Sequence, residues 1–206
     1  MPLLRDMIDM NGNRTERGSS VGLTESQFIQ QVIKNDTNQL LLKTLREVEM
    51  PQATLTAGCL FQTVWNLKCG RDPDWGIKDY DVFYYDAEDL SWEAENAVIQ
   101  KANKLLGGLA DKVEIRNQAR VHLWYPQKFG IGYPPLQRVE DGIDKFLIEC
   151  TCVGIQVDDG SVYAPNGFQD MWDGILRINP NNIQSAVNFR RKAEEYQERW
   201  PWLTIL

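Results

Sequence analysis

Asp79-Tyr80-Asp81-Val82-Phe83-Tyr84-Tyr85 sets two carboxylates one residue apart at the head of a run of strand-forming residues. Side chains on a strand alternate between faces, so Asp79 and Asp81 share one face while Tyr80 and Val82 take the other. Two like charges side by side repel. A bound divalent cation removes that cost, and ligands that are all oxygen suit Mg²⁺, Mn²⁺ or Ca²⁺. The alternative is a polar edge of a half-buried strand that needs no metal.

Upstream, Ala53 to Gly58 reads as a short strand ending at a glycine, and Leu60 to Leu67 as the helix that follows. A glycine at such a turn lets the backbone bend and lets a ligand approach closely. The free N–H groups at the start of the helix attract phosphate. The alternative is a tight turn that only packs a helix on a sheet. Gly70 to Gly76, with Pro73, is a loop. Downstream, Ser91 caps a helix with Glu93 and Glu95 in its first turn, and Gly107-Gly108 ends it. Val113 to Arg116 reads as the next strand, with Glu114 as a third acid and Arg116 and Gln118 at alternate positions after it.

If that strand lies beside the aspartates, Glu114 completes a carboxylate trio able to hold a second metal or accept a proton. Otherwise it is a surface glutamate on an edge strand. Asn117-Gln-Ala-Arg-Val-His122 is dense in hydrogen-bonding groups. Arg120 offers a planar fork for phosphate, and His122 can contact phosphate or shuttle a proton. The competing reading is a structural network, with Arg120 paired to an acid and His122 bonded to backbone.

The order strand, helix, strand, helix, strand implies an α/β sheet with helices packed on it. Before it, Thr24 and Gln27 fit a capping box that opens a helix carrying Phe28, Val32, Leu40, Leu41, Leu45 and Val48. A break near Asn35 divides this helix, and Pro51 closes it. After Pro134-Pro135, Cys150 to Val157 and Ser161 to Tyr163 read as two strands joined by the hairpin turn Asp158-Asp-Gly160. Gly167 to Leu176 and Ile183 to Trp200 read as helical. Residues 1–23 are polar and turn-rich, expected as a flexible tail, and residues 24–206 as one domain.

The 206 residues are 43% hydrophobic and 25% charged, enough to bury a sizeable core. A net charge of −7 argues against a protein whose main task is to grip duplex nucleic acid. A nucleotide is still compatible, because a divalent metal supplies the missing positive charge. Four cysteines without a Cys-x-x-Cys pair, and one histidine, argue against structural zinc. Cys150-Thr-Cys152 would set both thiols on one face of a strand, and buried free thiols fit a reducing cytoplasm. The start, Met1-Pro-Leu-Leu-Arg-Asp, shows no signal-peptide core, and no run reaches membrane-span length. Of the seven tryptophans, Trp65, Trp124, Trp200 and Trp202 sit among apolar neighbours, which suits a core, with stacking on a base as the second use for one of them. Arg190-Arg-Lys192 reads as a solvated helix face or as an acceptor-binding patch.

Ala57-Gly-Cys-Leu-Phe-Gln-Thr-Val-Trp65, Asp79-Tyr-Asp-Val-Phe-Tyr-Tyr-Asp86 and Asn117-Gln-Ala-Arg-Val-His-Leu-Trp-Tyr125 resemble a bacterial nucleotidyltransferase-like family of the polymerase-beta-type superfamily. Ala164-Pro-Asn-Gly-Phe-Gln-Asp170 and Arg177-Ile-Asn-Pro180 fit the same family. The resemblance implies a mixed sheet flanked by helices and transfer of a nucleoside monophosphate from an NTP such as ATP, using Mg²⁺ or Mn²⁺. It implies Gly58, with Cys59 beside it, as the phosphate turn, Asp79 and Asp81 as metal carboxylates and Glu114 as the third acid. Lys78, Arg116 or Arg120 would then stabilise the leaving pyrophosphate. Cys59 stands where serine is usual, and twenty residues separate Gly58 from Asp79, the excess lying in the Lys68–Lys78 loop. The acidic balance points to a small-molecule or protein acceptor rather than a long nucleic acid. A catalytically silent nucleotide-binding protein is the alternative.

Overall fold

The computed structural model describes residues 22–182, 184 and 186–206, so the tail expected over residues 1–23 lies almost wholly outside the described residues. Two helices open the fold, α1 (Glu25–Val32) and α2 (Asp36–Thr44). Thr24 and Gln27 form the capping box: Thr24 N donates to Gln27 Oε1 at 2.9 Å and Gln27 N to Thr24 Oγ1 at 3.3 Å. Asn35 makes the break, its side chain accepting from Thr37 N and Asn38 N at the start of α2. The helical run ends before Pro51, at a 3₁₀ turn over Leu45–Glu47. Leu40 is exposed, whereas Phe28, Val32, Leu41, Leu45 and Val48 are buried.

A five-stranded mixed sheet forms the centre, in the order β3-β2-β1-β4-β5. Its strands are β1 (Thr54–Thr56), β2 (Tyr80–Tyr84), β3 (Val113–Asn117), β4 (Gly154–Gln156) and β5 (Val162–Tyr163). Only β2 and β3 are parallel, as their connection through helix α4 (Trp92–Leu106) requires. The remaining pairs, β1 with β2, β1 with β4 and β4 with β5, are antiparallel. Helix α3 (Gly58–Lys68) links β1 to β2 and is buried from Gly58 to Asn66, because the sheet lies on one side and the carboxy-terminal helix on the other. Trp65 and Trp200 are fully buried there. Trp65 Nε1 donates to Met171 O and Trp200 Nε1 to Asn66 Oδ1, each at 3.0 Å, so neither indole is left unpaired.

Helices α5 (Val121–Phe129), α6 (Val139–Ile143), α7 (Gln169–Asp173) and α8 (Ala186–Arg199) complete the flanks. A small parallel pair, β6 (Ile175–Leu176) with β7 (Thr204–Ile205), pins the last helix. Two expectations change. Cys150-Thr-Cys152 lies in and after a 3₁₀ turn (Glu149–Thr151), where Thr151 N and Oγ1 both bond Ile148 O, and the strand starts only at Gly154. The helix expected over Gly167–Leu176 is the short α7 followed by β6. The dense segment after β3 turns into α5, which accommodates Pro126.

Candidate active site

The face of β2 and β3 that looks away from the main core carries the acids. Tyr80, Val82, Tyr84 and Ile115 are buried behind the sheet, and the period of two brings Asp81, Phe83, Glu114 and Arg116 to the other side. Asp81 pairs with Glu114 across the β2–β3 register and with Thr56 across β1–β2. Asp79 stands just before β2 rather than in it, and lines the same cleft of about 440 Å³. So do Ala57 and Gly58 at the strand–helix turn, together with Glu114 and Arg116.

The strain at that turn sits one residue before the glycine. Ala57 has φ 61° and ψ −141°, a conformation that a Cβ disfavours, whereas Gly58 is not in the left-handed region. Gly58 serves a different need. A Cβ there would lie 2.5 Å from Gln62 Nε2 on the next turn of α3. Ala57 and Gly58 thus bring the start of α3, where a helix carries free N–H groups, to the cleft lining, with the Gln62 side chain next to Gly58.

Burial first, and then the charges of Asp79 and Glu114, push the Asp81 carboxyl from 3.8 up to about 7, with Arg116 pulling it back. Negative charge is crowded there in a partly dry place, the condition that a cation relieves. Glu114 already has a partner: Arg116 Nη2 lies 2.6 Å from its Oε1. Among the described residues no group of three or more His, Cys, Asp or Glu side chains is placed to hold a metal ion by itself. Two aspartates still suit Mg²⁺ or Mn²⁺, because Mg²⁺ is held by one or two carboxylates while substrate phosphates and water supply the other oxygens.

The remaining expected residues lie elsewhere. Cys59 is fully buried beneath the turn, its Sγ 3.2 Å from Thr56 O, and burial followed by the charge of Asp81 pushes its thiol well up. Lys78 is exposed and outside the cleft lining. Arg120 is 9% exposed and forms a buried ion pair with Glu95, while its Nε donates to Leu90 O at 2.9 Å. Glu95 also accepts from Asn117 N at 2.8 Å, so this cluster fixes the exit of β3 against α4. His122 lies outside the cleft with Nδ1 buried and without a hydrogen bond among the described residues. The cleft lining also includes Lys145 after α6 and Tyr196 on α8, which the sequence had not marked as a site, together with Lys192, the end of the Arg190-Arg-Lys192 run. Arg190 and Arg191 pair with Glu194 and Glu195 one turn on, while Lys192 lines the cleft 3.5 Å from Glu195 Oε2.

A family model described as nucleotidyltransferase matches residues 43–205. The chain belongs to this nucleotidyltransferase family. It is an enzyme of the class that transfers phosphorus-containing groups. Among solved structures, the nucleotidyltransferase is similar to a CCA-adding enzyme head domain determined by NMR, with TM-score 0.69 and 19% identity over 90% of this chain and 97% of that one. It is also similar to the Thermotoga maritima CCA-adding enzyme complexed with tRNA, with TM-score 0.51 and 14% identity over 90% of this chain. The chain spans 42% of that enzyme's length. At these identities the likeness establishes the shared fold, the mixed sheet flanked by helices. No curated protein matches the chain. Among the described residues no helix is long and apolar enough to cross a membrane.

Proposed function

We propose that this nucleotidyltransferase moves a nucleoside monophosphate from an NTP to an acceptor hydroxyl, with Mg²⁺ or Mn²⁺ held by Asp79 and Asp81. The observation that carries the reading is the convergence of these aspartates, Glu114 and the Ala57–Gly58 turn on one cleft, where like charges load Asp81. When bound, the cation neutralises phosphate charge and polarises the reacting phosphoryl group. The start of α3 receives the phosphates on its free N–H groups. Arg116, Lys145 and Lys192 line the cleft as the cations that would meet the leaving pyrophosphate. Glu114 is placed to orient the acceptor hydroxyl and take its proton once Arg116 turns to the phosphates.

The net charge of −7 supports a small-molecule or protein acceptor. A polynucleotide end is the competing class, since the similar Thermotoga maritima enzyme was solved with tRNA. Three buried free thiols support a reducing, cytoplasmic setting. The Glu114–Arg116 pair and the buried Cys59 favour a second reading, a nucleotide binder without turnover. Calorimetry with α,β-methylene-ATP should show binding that needs Mg²⁺ or Mn²⁺ and disappears in Asp79→Asn and Asp81→Asn. Binding unchanged by both substitutions would remove the metal assignment. Pyrophosphate release from NTPs, present in the native chain and absent in both variants, separates the enzyme from the silent binder.

A further inference from the structure

The acids and the cations of the cleft have tasks in that transfer, and its aromatic end has none. Gln118 lies there. It is 2% exposed, it lines the cleft, and its carboxamide makes no hydrogen bond among the described residues. Its amide atoms keep access to the cleft, so a ligand's hydrogen-bonding edge can take the place of water on them. The space for this amide is built. A Cβ at Gly142, on α6, would lie 2.2 Å from Gln118 Oε1 and 3.0 Å from its Cδ, so the carboxamide rests against bare backbone. The same cleft is lined by Tyr125 and Tyr133, with ring centroids 4.5 Å apart, and by Trp124, 5.9 Å from Tyr125. Gln184 Nε2 donates to Tyr125 Oη at 2.8 Å and holds that ring in place.

Flat rings that line one cleft with an unpaired donor–acceptor group match one chemical class, a planar heterocycle with its own donors and acceptors along an edge. We propose that this end of the cleft holds the nucleobase of the donor triphosphate, stacked against the Tyr125–Tyr133–Trp124 wall and read along its edge by the Gln118 carboxamide. The inference rests on the triphosphate reading and adds that the nucleotidyltransferase discriminates between bases.

The test is calorimetry in Mg²⁺ with inorganic triphosphate and with the α,β-methylene analogues of ATP, GTP, CTP and UTP. The native chain should bind its best nucleotide more tightly than inorganic triphosphate, and the best base should outrank the worst by about tenfold or more, the discrimination of one bidentate amide–base pair. Gln118→Leu removes the reading group. Gly142→Ala displaces only the far end of a flexible side chain, on backbone that any residue adopts, so it keeps the fold. Both should flatten the spread between bases and leave inorganic triphosphate binding unchanged. Equal affinities for all four nucleotides in the native chain, or a spread that survives Gly142→Ala, overturn the base pocket and leave the triphosphate site standing. A native chain that binds neither inorganic triphosphate nor any nucleotide overturns both.

Discussion

Replacing Asp81 by asparagine should make this protein more stable at neutral pH while abolishing metal-dependent nucleotide binding. Asp81 is held from 3.8 up to about 7 by burial and by the charges of Asp79 and Glu114. Between those two pH values the folded chain keeps a proton that the unfolded chain has released. Stability therefore falls as pH rises from about 4 to about 7, is lowest above that window, and is unaffected by this group below pH 3.8, where both states are protonated. Each pH unit of displacement is worth about 1.36 kcal/mol, so the ionised carboxylate costs about 4 kcal/mol at pH 8. The asparagine side chain keeps the shape and carries no charge. Urea unfolding in chelator at pH 5, 6, 7 and 8 should show the native chain losing stability across the series and Asp81→Asn losing much less. At pH 8 the variant should lead by up to about 4 kcal/mol, or about 10 °C in Tm for a chain of this size. Excess Mg²⁺ should raise the stability of the native chain and leave the variant where it was. Parallel pH profiles, or a variant less stable than the native chain at pH 8, would show that the carboxylate is neither dry nor crowded.

Ala57→Gly should raise stability by up to about 1 kcal/mol in urea unfolding, since relief of a strained φ, about 1–2 kcal/mol, exceeds the extra chain entropy of glycine. Arg120→Ala should cost about 3–5 kcal/mol by leaving Glu95 charged and buried, and Glu95→Gln should cost less because it still accepts from Asn117 N. In the native state, the thiol reagent DTNB should modify Cys69 rapidly and reach Cys59, Cys150 and Cys152 only on denaturation, because those three are buried. Their thiols are all pushed up by burial.

The parts of the site that follow from local rules could be read in the sequence. Alternation along β2 and β3 placed Asp81, Glu114 and Arg116 on one face, side-chain caps marked the starts of α1 and α4 at Thr24 and Ser91, and a break near Asn35 marked the start of α2. Other parts depend on partners far along the chain. Arg120 looked available for phosphate because its acid, Glu95, lies 25 residues away on another element. Lys192 looked equivalent to its two arginine neighbours, yet all three pair with glutamates of α8 and only Lys192 of the three also lines the cleft. The strain at the turn falls on Ala57, where nothing in an alanine announces a positive φ. The short α6 stayed hidden because Gly142, poor in helix propensity, is there to make room for Gln118.

Arg199 binds three places at once: its guanidinium reaches Gln62 Oε1 and Gly76 O, and its carbonyl accepts from Arg71 Nη1. These contacts tether the long loop ahead of Asp79 to a residue more than a hundred positions later. A ribosome that has delivered both aspartates has therefore not yet delivered the far wall of the cleft or the clamp on that loop. Nascent chains would hold the acids in open water, and activity should switch on late and all at once as the last helix docks.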